Sequence, residues 1–153
     1  GRGAGSRAGG GRVMMLPRVL ASLALWASLC GVAQAGERSA EGIDCAQATG
    51  GYERDMCDSD RLDDADHELN AVYAQARDEL KAQAADGSCS RCTAAGQQLV
   101  KAQRIWITLR DADCEAVYAF NADGTSRNPA KMQCLITQTR DRTRQLRAFY
   151  ELL

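Results

Sequence analysis

Cys89-Ser90-Arg91-Cys92 is the segment whose residue types point most directly to chemistry. Two thiols three positions apart can ligate a metal, exchange electrons or close a short disulfide. Zinc needs two further ligands, and the other cysteines behind the leader, Cys45, Cys57, Cys114 and Cys134, are better used as disulfides. A thioredoxin-like site opens a helix within a βαβ context, and no stretch here alternates at period two for long enough to be a strand. The C-x-x-C therefore reads as a loop staple. His67 is the single histidine, set between Asp66 and Glu68 in an acidic run, where a solvated side chain is the ordinary outcome. Ser88 and Ser90 have no evident base, G-x-S-x-G does not occur, and nothing in the spacing sets two carboxylates around a cleft. No catalytic residue, metal or cofactor is expected.

Residues 99–114 carry the other unusual chemistry. They have the apolar spacing of a helix, yet Gln103 and Arg110 lie along the apolar flank beside Trp106, one of two tryptophans. Three elements must position them. From Tyr52, apolar Met56, Leu62, Ala65, Leu69, Val72, Ala76 and Leu80 recur mostly at threes and fours, predicting a helix to about residue 84 with Thr49 as its cap. Residues 86–92 form a loop. Thr93 then caps a second helix with Leu99, Ala102, Trp106 and Leu109 on one stripe, ending near residue 120. A loop over 121–127 leads to Asn128-Pro129, a start signal for a third helix carrying Met132, Leu135, Ile136, Thr139, Thr143, Leu146, Phe149 and Tyr150. The predicted fold is all-α, an antiparallel three-helix domain stapled by disulfides.

Short loops fix a crude register. Centring the first near Ser88 makes facing residues sum to about 176, within a turn. Asp66 then faces Arg110, while Asn70 and Tyr73 face Trp106 and Gln103. Centring the second near Gly124 sets Cys114 against Cys134 and Trp106 against Arg142. The register favours Cys114–Cys134, and Cys45–Cys57 and Cys89–Cys92 follow as local bridges, although six cysteines allow fifteen pairings.

Composition bounds the rest. The chain has 153 residues, 45% hydrophobic and 25% charged, as one globular domain would. Residues 1–13 read as a non-native upstream extension and 14–35 as a signal peptide. The apolar run 19–32 is too short for an anchor, Leu29 before Cys30 does not suit lipidation, and Ala33-Gln34-Ala35 marks the cut. Residues 36–43 read as a flexible segment and 44–153 as the folded domain, periplasmic or secreted. Losing four arginines from 19 cations against 20 acids leaves a mature net charge of −5, which argues against nucleic acid or anionic membrane as partner.

The set Asp66, Asn70, Tyr73, Gln103, Trp106, Arg110 and Arg142 reads as a structural polar network, with partner contact the alternative. Asp55, Asp58, Asp60, Asp63, Asp64 and Glu68 give the start of the first helix a negative field and are the candidate partner-binding residues. A solvated face is the competing reading.

These pieces resemble the LprI-type lysozyme-inhibitor family of small exported bacterial proteins. The resemblance runs from Asp44-Cys45 to about Arg147. It includes Cys57, Asp66, Leu69-Asn70, Tyr73, Gln103, Trp106, Arg110-Asp111-Ala112, Cys114, Cys134, Thr139, Arg142-Thr143 and Leu146. Cys89 and Cys92 are additional to its pattern, and the 121–127 loop has one glycine where relatives are often richer. The resemblance implies an exported helical domain that binds and inhibits lysozyme without catalysis. The alternatives are an envelope accessory or stress protein with another partner, and a thiol-redox protein using Cys89 and Cys92.

Overall fold

Leu69, Val72, Ala76 and Leu80 of one helix, Cys92 and Leu99 of a second and Leu146 of a third close a single core, with Tyr73, Trp106 and Tyr150 packed at its edge. The helices are α1 (Gly51–Ala85), α2 (Cys92–Phe120) and α3 (Arg127–Phe149), in a computed structural model that describes residues 38–151. The extension and signal peptide expected over 1–35 lie outside the described residues. Among those described there is no strand, only an isolated bridge between Arg38 and Asp44.

No proline interrupts α1 or α2, and the single proline of α3, Pro129, sits in the first turn, where its missing N–H costs nothing. α1 begins at Gly51 rather than under a Thr49 cap. Glu53 supplies the cap instead, its Oε2 accepting from the amides of Thr49 (3.0 Å) and Gly50 (3.1 Å). Thr93 likewise lies inside α2, whose N-cap is Arg91. α1 ends where Gly87 takes φ +79°, a left-handed backbone that suits glycine.

α1 packs most extensively on α3 and least on α2. The disulfides are Cys45–Cys57, Cys89–Cys92 and Cys114–Cys134, with S–S distances of 2.04, 2.01 and 2.02 Å. Cys114–Cys134 ties α2 to α3 across the register that the loop midpoints set.

Two expectations need correction. Ala102 and Leu109 are exposed on α2, and the residues it turns inward are Leu99, Gln103, Trp106, Arg110 and Cys114. α2 has two apolar stripes, and the sequence reading drew from both. Residues 38–43, expected to be flexible, fold as a turn. The Ser39 amide donates to the Ile43 carbonyl (2.9 Å), the Ile43 amide to Ser39 Oγ (3.1 Å) and the Ala40 amide to Asp60 Oδ2 (2.7 Å).

Candidate functional site

Arg110 is the hub of the polar network. Its side chain is 13% exposed, and it donates to Asp66 on α1 (2.9 Å), to Thr139 Oγ1 on α3 (3.0 Å) and to Asp111 beside it (3.0 Å). One guanidinium thus touches all three helices, with its five donors in a fixed fork. Its Cζ lies 5.2 Å from the Trp106 ring centroid, and that of Arg142 lies 5.9 Å away, so two cations share one indole. Arg142 Nε donates to Gln103 Oε1 at 3.0 Å, satisfying an amide that is buried in the core. Burial pushes the Arg142 guanidinium below its ordinary pKa, and it stays charged at neutral pH.

Two residues expected in this network stand apart from it. Asn70 is exposed on α1, and Tyr73 packs at the core edge under Arg77, 5.7 Å from its ring. Gln103 turns to Arg142 on α3 rather than to either of them, because α2 packs more closely on α3 than on α1. Thr139 is the network member that sequence reasoning missed. It is fully buried three residues after Ile136 on the inward face of α3, a position read as part of the helix's packing stripe and not as a hydrogen-bonding one.

The acidic run divides by helical phase. Asp58 is 6% exposed and accepts from Arg61 (3.0 Å) and from Gln133 of α3 (2.9 Å), so its carboxylate is buried and bonded within the domain. Asp60 holds the Ala40 amide, and Glu68 pairs with Arg147 at 2.9 Å. Asp63 and Asp64 are exposed and Asp55 is partly so. Asp60, Asp63, Asp64 and His67 fall at steps of three, one and three, which puts them together on the outward face of α1.

His67 stands on that outer face, away from Ser88 and Ser90 in the α1–α2 loop. Among the described residues, no group of three His, Cys, Asp or Glu side chains is placed to hold a metal. A groove of about 550 Å³ between α1 and α2 is lined by the apolar Leu80, Ala84 and Val100 and by the polar Asp78, Lys81 and Thr93.

A sequence profile of the lysozyme inhibitor LprI family matches residues 44–146, which is most of the three-helix domain. The chain belongs to the LprI family. An uncharacterised protein from Rhizobium meliloti strain 1021 is 34% identical over 134 residues, covering 86% of this chain and 95% of its own length. No solved structure matches significantly. The matched range of this LprI-family chain holds all three disulfides and the Arg110 network. No helix among the described residues is long and apolar enough to cross a membrane.

Proposed function

We propose that this chain is an exported inhibitor that binds lysozyme and blocks it by contact alone, through the outward acidic face of α1. The observation that carries the reading is membership of the LprI lysozyme-inhibitor family over the folded domain. The geometry supports it in two ways. The three-helix network leaves its polar groups paired with one another, which suits a rigid scaffold better than a reactive site. The acids at the surface of this face, Asp63 and Asp64 with Asp60 and Glu68 beside them, offer a negative patch to a basic enzyme.

Calorimetric titration of lysozyme with the purified protein tests this reading. Saturable binding is expected, weakening as salt rises, with the Asp63→Lys/Asp64→Lys variant about tenfold weaker or more. Binding insensitive to both salt and the charge reversal would overturn the assignment to α1. Absence of binding to several lysozyme types would overturn the function.

A further inference from the structure

α2 carries a second apolar stripe that the monomer does not use. Ala102, Ile105, Leu109, Ala112, Ala116 and Ala119 recur at steps of three and four, and all six are exposed. Ile105 and Leu109, at 58% and 56% exposed, are too bare for side chains with only an internal role. The spacing is that of a coiled-coil seam, and its alanines let a second helix approach closely. The seam points away from the stripe of Leu99, Gln103, Arg110 and Cys114 that faces the core.

The flanking charges identify the occupant. The positions just before the first, third and fifth seam residues are Lys101, Thr108 and Glu115. In an antiparallel pair of identical helices the same flank meets itself, so centring on Thr108 sets Lys101 of each copy against Glu115 of the other. With the flank centred there, the inner seam is centred one residue earlier, near residue 107, which sets Ile105 against Leu109 twice at the centre and Ala102 against Ala112 on either side. A row of cation, neutral and anion is complementary to its own reverse, as an isologous two-fold contact requires. Lys101 has no ion pair among the described residues. Glu115 has one, an exposed contact with Lys131 on α3 that water and salt screen and that is easily shared.

We propose that α2 is a homodimer interface, in which two copies pair antiparallel through this seam. The two seams overlap over 102–112, roughly 16 Å at 1.5 Å per residue, so the buried area is modest and the dissociation constant is expected on the order of tens of micromolar. The acidic face of α1 is not part of the seam, and the proposal does not depend on lysozyme.

Sedimentation equilibrium of the purified protein, from about 1 μM to about 1 mM, tests it. A monomer–dimer equilibrium is expected. Lys101→Glu or Glu115→Lys alone should weaken it about tenfold by setting like charges opposite one another at two places, and the two together should restore it. Leu109→Glu, with circular dichroism checking that the helices are kept, should give monomer throughout. Monomer at every concentration overturns the proposal, as does a larger assembly or a dimer that survives Leu109→Glu. Charge variants without effect, or a double swap that fails to recover association, overturn it too. They carry the test even if Leu109→Glu fails to fold.

Discussion

Replacing Arg110 with methionine removes the guanidinium and keeps most of the stem, so it isolates what the hub contributes. Asp66 and Asp111 are 41% and 56% exposed at their side chains and rehydrate once released, so each ion pair is worth about 0–1 kcal/mol. Thr139 cannot rehydrate. It is fully buried, and losing the donor at 3.0 Å costs about 1 kcal/mol. The contact with Trp106 adds about 0.5–1 kcal/mol. The sum is a destabilisation of about 1.5–4 kcal/mol, measured by urea unfolding followed on tryptophan fluorescence, or roughly 5–15 °C in melting temperature for a domain of this size. A double-mutant cycle with Asp66→Asn then apportions it. Coupling of about 1 kcal/mol or less is expected, because most of the loss lies with Thr139 and Trp106. A loss below about 0.5 kcal/mol, or coupling that accounts for all of it, would refute the description of Arg110 as a three-helix clamp.

Two further outcomes follow from the same geometry. Replacing Cys114 and Cys134 with alanine should cost about 3 kcal/mol, against about 2 kcal/mol for Cys89 and Cys92, since the first bridge closes the longer loop; denaturant midpoints of the two variants check the order. Asp58→Ala should destabilise by about 1 kcal/mol because it removes the acceptor that Gln133 of α3 and Arg61 share, whereas Asp63→Ala and Asp64→Ala should fall within about 0.5 kcal/mol of the parent in thermal melts.

The helices were readable because their apolar residues recur over long runs, and the register was readable because two short loops constrain it. Cys114 against Cys134 needed only the loop midpoints. Asp66 against Arg110 came from the same construction, and the structure sets them 2.9 Å apart. What escaped has local causes. Asp58 lies seven residues before Ala65 and so on the buried face of α1, but its neighbours made it look like one more solvated acid. Ala102 and Leu109 share helical spacing with Leu99 and Trp106, and periodicity alone does not separate two stripes on one helix. The caps were misplaced because Glu53, reaching back from inside α1, does what Thr49 was expected to do. The turn over 38–43 rests on an acceptor twenty residues away, Asp60, which no local pattern reveals.

The claim that matters most is inhibition by contact. It is tested most directly by the lysis rate of a peptidoglycan substrate, at fixed lysozyme and rising concentrations of the purified protein. Binding without catalysis predicts that lysis falls in proportion to the complex formed, that the inhibition is established on mixing and does not deepen with time, and that added salt relieves it. Undiminished lysis at a large molar excess, against several lysozyme types, would contradict the account.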